Sequence, residues 1–134
     1  MSTTEAVQNK VRKILMKHHS VRETDGKMHI RSGSTMVSIG VHPMDENFSF
    51  IQLSAPVGIG IKDREGFALW AIQEISTIFG RYALVGDDAF YSHTLLGDYL
   101  DEDELLAALD GVAITADLFD DEIVKKYGGK VWAS

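Results

Sequence analysis

The side chains that could do chemistry in this chain are five histidines and a dense set of carboxylates. The histidines are His18, His19, His29, His42 and His93. No two of them have the i, i+4 spacing of a helical zinc site, and the chain has no cysteine. The acids Asp98, Asp101 and Asp103 lack the glycine turn and the terminal glutamate of a calcium loop. We therefore predict no metal site.

The signatures of common catalytic and nucleotide sites are also missing. Gly58 and Gly60 begin a dinucleotide-loop pattern, but Asp63 stands where its third glycine belongs. No serine lies in a nucleophile elbow, and no glycine-rich loop ends in Lys-Ser or Lys-Thr. The acids from Asp101 to Glu104 are explained by helix capping and the helix dipole. The sequence predicts no catalytic residue, no cofactor and no enzyme.

Charge is distributed very unevenly along the chain. The formal net charge is -7, and residues 86–124 contain 12 of the 20 acids but no lysine or arginine. This segment can be read as a solvated helix face or as a surface that receives a basic partner segment. For the second reading the candidate partner-facing residues are Asp117, Asp120 and Asp121. An acidic chain whose basic residues lack interleaved aromatics does not indicate nucleic-acid binding.

The clearest element is a long C-terminal helix. Its apolar stripe steps by four and three residues through Leu105, Leu109, Val112, Ala116, Phe119 and Ile123. Asp101 can cap its start, Lys125 and Lys126 suit its negative end, and Gly128 and Gly129 stop it.

The remaining patterns predict two more helices and five strands. The helices are expected at about Thr4–Lys17 and from an Asp63 cap to about Phe79, and the strands around 28–31, 36–42, 47–61, 82–85 and 89–96. The order is αβββαββα. Short turns favour antiparallel pairing, so we expect an α+β two-layer sandwich with helices on one face of a five-stranded antiparallel sheet.

The second helix is apolar on more than one side. Phe67, Ala71 and Ile78 widen its sheet-facing stripe, and Trp70 lies almost opposite the centre of that stripe. One sheet cannot cover so broad an apolar surface. The C-terminal helix or a loop could bury Trp70, but Phe67, Trp70, Ala71 and Ile78 are also candidates for a homodimer interface or a partner-binding groove.

Length and composition fit one domain over residues 1–134. The chain is 45% hydrophobic and has only two prolines. Glu5, Lys10, Arg12 and Lys13 interrupt any secretory apolar core, and no apolar run approaches the roughly 18 residues of a membrane helix. We expect a cytoplasmic protein without a membrane association.

Three stretches carry a resemblance to a known family. They are HTLLGD at 93–98, LLAALDGVAITAD at 105–117 and DDEIVKKYGG at 120–129. They resemble the C-terminal half of the YbjN-type domain family, and the element order is similar to type III secretion chaperones of the Tir-chaperone (CesT) class. The resemblance implies a small α+β fold, homodimerisation, no enzymatic site, and binding of peptides or unfolded segments of partner proteins.

These observations together predict a non-enzymatic, chaperone-like homodimer that binds another protein or a peptide. Affinity would come from pairing at a strand edge or from burial in an apolar groove. The alternative is a regulatory or sensory domain that binds a small ligand, which a closed apolar pocket with a few polar groups would favour.

Overall fold

The computed structural model describes residues 3–73 and 80–132. Within these residues the helices are α1 (Thr3–His18), α2 (Arg64–Gln73) and α3 (Glu102–Tyr127). The strands are β1 (Arg22–Thr24), β2 (Lys27–Ser32), β3 (Thr35–Pro43), β4 (Ser49–Gly58), β5 (Arg81–Val85) and β6 (Asp88–Leu96). The expected end of the second helix, and with it Ile78, lies outside the described residues.

The strands form a single antiparallel sheet in the order β1-β2-β3-β4-β6-β5. The α+β class and the antiparallel pairing are confirmed, but the count of five strands was wrong because β1 adds a sixth. β1 has only three residues, all exposed, and so shows no apolar alternation. It forms because Asp25 and Gly26 both take positive φ and close a tight hairpin onto β2.

The core lies between the sheet and the helices. α3 packs across β3, β4 and β6, α1 packs against β3 and β4, and α2 packs against β5 and α3. On β4, Ile51, Leu53, Ala55 and Val57 are fully buried, whereas the alternate residues between Ile51 and Ala55 are only half-buried. One face of the sheet is therefore covered by helices, and the opposite face, which we call the open sheet face, is not.

The ends of α3 follow the sequence prediction. The Asp101 side chain accepts a hydrogen bond from the backbone N–H of Asp103 (3.1 Å), and the N–H of Gly128 bonds to the carbonyl oxygen of Val124 (2.9 Å). Among the described residues, no helix combines the length and the apolar content needed to cross a bilayer.

Candidate interaction surfaces

The aromatic residues of α2 form part of a ring cluster inside the fold. Phe67 is only 1% exposed. Trp70 is half-buried, and its ring centroid lies 4.9 Å from that of Tyr82 and 6.4 Å from that of Phe119. Phe67 was predicted to lie on an interaction surface, but the structure places it in the core, because β5 and α3 flank α2 and cover a wider arc of it than one sheet face would.

The exposed apolar surface of α2 lies at neighbouring positions instead. Ile72 is 81% exposed and Leu69 is 57% exposed. Between α2 and β5 runs an apolar groove of about 410 Å³, which we call the α2–β5 groove. It is lined by Phe67, Ala68, Ala71, Ile72, Arg81, Tyr82, Ala83 and Leu84. Of the four residues predicted on this helix, Phe67 and Ala71 thus line the groove, although Phe67 is almost fully buried.

A second concavity lies between β6 and the first half of α3. We call it the α3–β6 cleft. It has a volume of about 290 Å³ and is lined by His93, Leu95, Glu104, Ala107 and Ala108. The small alanine side chains leave the space, Leu95 supplies an apolar wall, and the exposed Glu104 places a carboxylate among the acids of the first turn of α3. The cleft therefore combines an apolar lining with negative charge.

The three predicted acids of α3 do not share one environment. Asp117 and Asp121 are exposed, and Asp117 accepts a hydrogen bond from the Ser34 hydroxyl. Asp120 is only 3% exposed, so the structure does not place it on the partner-facing surface that was predicted for all three. Burial raises the pKa of Asp120, against a hydrogen bond from the backbone N–H of Asp121 (2.7 Å) that lowers it.

The open sheet face presents a different chemistry. Register pairs place Arg22, His29, Ser38, Ser54, Ser92 and Arg81 in one row across all six strands. The two ring nitrogens of His29 lie 2.8 Å from the hydroxyls of Thr24 and Ser38. In the sequence, the alternation of Lys27, His29 and Arg31 with apolar residues along β2 indicates a polar sheet face. The sequence does not show which strands lie beside β2 and extend that face.

The candidate metal ligands of this chain are its histidines and carboxylates. Among the described residues, no group of three or more His, Asp or Glu side chains converges on a point that could hold an ion. His42 instead packs against Phe50, with the ring centroids 5.3 Å apart.

The fold belongs to a class of small α+β domains in which helices cover one face of an antiparallel sheet. A family model described as T3SS (YopN, CesT) and YbjN peptide-binding chaperone 1 matches residues 2–134. The chain therefore belongs to this family of peptide-binding chaperones, and the resemblance seen in the sequence is confirmed.

Comparison with solved structures shows the same fold. A chain of the crystal structure of the ExsC-ExsE complex superposes with a TM-score of 0.69 and 14% sequence identity, covering 92% of this chain and 97% of that chain. At this identity the likeness concerns the fold. No curated protein matches the sequence.

Proposed function

We propose that this domain is a non-enzymatic chaperone that binds a segment of a partner protein at the α3–β6 cleft. Membership of a peptide-binding chaperone family supports the class of function. The single observation that carries the site is the cleft itself, where an apolar lining meets the carboxylate of Glu104. Its volume of about 290 Å³ is near the lower limit of small-molecule pockets, roughly 300 Å³, which favours a side chain as the occupant.

The lining residues define what the partner segment carries. An aliphatic side chain of the partner would fill the space over Ala107 and Ala108 and contact Leu95, so that apolar burial supplies affinity. A neighbouring lysine or arginine would pair with Glu104. The other exposed acids of α3 would attract such a segment over a longer range and raise its association rate.

A short fluorescein-labelled peptide of Leu, Lys and Ser residues tests this site by fluorescence anisotropy. Ala107→Phe should fill the cleft and weaken binding about tenfold, because the bulky ring occupies the space of the anchor. Ala6→Phe is the matched control, since Ala6 is an exposed alanine on α1. Equal affinity of Ala107→Phe and wild type would remove the cleft from the proposal.

Glu104→Lys tests the electrostatic part. The Debye length falls from about 10 Å at 0.1 M salt to about 3 Å at 1 M. The variant should therefore bind several-fold more weakly than wild type at low salt and differ little from it at high salt. Glu122→Lys makes the same charge change on the same helix but at a distance from the cleft. If Glu122→Lys and Glu104→Lys weaken binding equally, only the overall charge matters.

We also infer that the domain is a homodimer, with the α2–β5 groove as its interface. This assignment keeps Ala71 from the sequence prediction, adds the exposed Ile72 beside it, and leaves the α3–β6 cleft accessible for the partner. A twofold axis beside the groove would bury Ile72 and Leu69 twice, once from each copy.

A further inference from the structure

The open sheet face has the opposite charge to α3. Its positions on β1 and β2 are occupied by Arg22, Thr24, Lys27, His29 and Arg31, and those on β3 by Met36, Ser38, Gly40 and His42. None of these residues is acidic. Glu23, the acid of β1, belongs to the other face, where it pairs with Arg12 of α1. Although the chain has a net charge of -7, the side chains of β1, β2 and β3 that point to the open sheet face therefore include basic residues and no acid.

The basic residues of this face are close together. Side chains two residues apart on one strand are about 7 Å apart, so Lys27, His29 and Arg31 span about 13 Å, and Arg22 lies directly opposite His29 on the neighbouring strand. Arg22, Lys27 and Arg31 are exposed, and the ion pairs found among the described residues include none of the three. Their charges are available to a ligand.

One of the cations is held in place by an aromatic ring. The guanidinium carbon of Arg31 lies over the half-buried Trp132, 5.2 Å from the ring centroid. The residues before Trp132 are tied to the sheet, because Lys130 and Ile59 exchange backbone hydrogen bonds of 2.8 and 2.9 Å. A guanidinium held over a ring keeps N–H donors for a carboxylate and loses less conformational entropy when one binds.

We propose that the Arg22, Lys27, His29 and Arg31 side of the open sheet face docks an acidic, extended segment of a partner protein. Carboxylates spaced along such a segment match the two-residue spacing of the basic side chains along β2, and the hydroxyls of Ser38 and Ser54 continue the polar surface beside them. Trp132 is a positioning residue for Arg31. The inference rests on the proposed partner-binding function. It adds a second, basic contact surface, which lies on the opposite side of the sheet from the acidic α3–β6 cleft.

The test uses a short fluorescein-labelled peptide of alternating Glu and Ser residues with the full chain at low salt. The triple variant Arg22→Glu, Lys27→Glu, Arg31→Glu should weaken binding at least about tenfold. The matched control Lys13→Glu, Lys125→Glu, Lys126→Glu makes the same change in net charge at helix positions away from this face and should change affinity less than about twofold. Equal losses in both triple variants, or no loss in the first, would overturn the proposal.

Trp132 gives an independent readout. Trp132→Ala should weaken binding of the Glu-Ser peptide several-fold, and Trp132→Phe should restore most of it, because a phenyl ring can still support the Arg31 guanidinium. Equal affinities of Trp132→Ala and Trp132→Phe for the Glu-Ser peptide would show that the ring of Trp132 does not position Arg31 for binding.

Two further measurements show which proposed site is wrong, the α3–β6 cleft or the open sheet face, if a peptide does not bind as expected. The Leu-Lys-Ser peptide should bind the first triple variant at least as well as it binds wild type, because the substitutions make the chain more acidic. Loss of the Glu-Ser peptide alone therefore supports the sheet site. If wild type binds the Leu-Lys-Ser peptide but not the Glu-Ser peptide, only the sheet site is wrong. If sedimentation velocity at low salt instead shows self-association that the first triple variant abolishes, the occupant is the acidic surface of a second copy and the proposal is overturned.

Discussion

At the residue scale, the buried Asp120 is the clearest departure from the sequence pattern. The stripe read from the sequence continues from Ala116 to Phe119, but the structure buries Asp120 and leaves Phe119 half-buried. In an α-helix the residues three and four positions after Ala116 both lie on its side of the helix, so periodicity allows either Phe119 or Asp120 to face the sheet. The tertiary structure buries Asp120, whereas the ring of Phe119 lies beside that of Trp70 of α2.

We expect Asp120→Asn to stabilise the domain at neutral pH by on the order of 1 kcal/mol, measured by urea denaturation. The neutral amide avoids the desolvation cost of the carboxylate, and its oxygen can still accept the hydrogen bond from Asp121. Because folding raises the pKa of Asp120, the charged group destabilises the fold at pH values above its folded pKa. The advantage of the variant should therefore disappear as the pH falls below the ordinary aspartate range.

Asp121→Asn is the control for this prediction. Asp121 is adjacent to Asp120 but exposed, and its charge is a smaller cause of the raised pKa of Asp120 than burial is. Its substitution should therefore change the free energy of unfolding much less than Asp120→Asn does at neutral pH. A loss of stability in Asp120→Asn at neutral pH would contradict the account. It would mean that the charged form of Asp120 contributes favourable interactions to the fold.

At the element scale, the end of α3 shows why two glycines follow the helix. Both Gly128 and Gly129 take positive φ, 84° and 93°. A Cβ on Gly129 would lie 2.5 Å from the carbonyl oxygen of Ile59 and 2.9 Å from that of Gly60. The close approach lets the chain leave the helix and pair Lys130 with Ile59 beside the end of β4. Gly129 therefore serves both the helix end and the attachment of the segment that carries Trp132.

Gly129→Ala should lower the free energy of unfolding by about 2 kcal/mol or more, because it adds a backbone clash to the roughly 1 kcal/mol cost of positive φ for a non-glycine residue. Gly86→Ala measures the free-energy cost of positive φ without a steric clash. Gly86 has a φ of 62°, and a Cβ added to it would face open space, with no neighbouring side chain or backbone atom within 4 Å. Equal destabilisation of the two variants, measured by thermal unfolding, would show that the clash of the added Cβ with the carbonyl oxygen of Ile59 does not lower stability.

At the scale of the whole molecule, the fold separates three surfaces. The α2–β5 groove is apolar, the α3–β6 cleft is apolar and acidic, and the β1–β2 side of the open sheet face is cationic. Ile72 gives the sharpest test of the proposed dimer, because it is largely exposed and borders the groove. Trp70→Asp is a poorer test, since Trp70 packs against Tyr82 and Phe119 and its loss would destabilise the monomer.

Light scattering coupled to size exclusion should give wild type a mass near twice the 14.8 kDa of the chain, and Ile72→Asp a mass near that of one chain. Burying one isoleucine contributes roughly 1.5 to 3 kcal/mol, and a symmetric interface loses this twice. Leu118→Asp is the control, because Leu118 is a 69% exposed apolar residue on α3. A monomeric wild type at micromolar concentration would remove the dimer from the proposal, and a dimeric Ile72→Asp would move the interface away from the groove.

The sequence by itself determined the elements whose signals are local. Caps and apolar periodicity located α1 and α3, and alternation located the five longer strands. The end expected for the second helix lies outside the described residues. Local signals also carried the family, through stretches such as HTLLGD at 93–98 and DDEIVKKYGG at 120–129. β1 was not predicted because a three-residue strand of exposed side chains shows no apolar alternation.

Only the tertiary structure decided which side chains share a surface. Phe67 is in the core and Ile72 is exposed because β5 and α3 both flank α2, and no property of that helix alone specifies its neighbours. Asp120 is buried because the packing of α3 against the sheet and α2 decides between two positions, Phe119 and Asp120, that helical periodicity allows equally to face inward. Arg22 joins Lys27, His29 and Arg31 because strand register, which is set by contacts between elements, aligns residues that are separate in the chain.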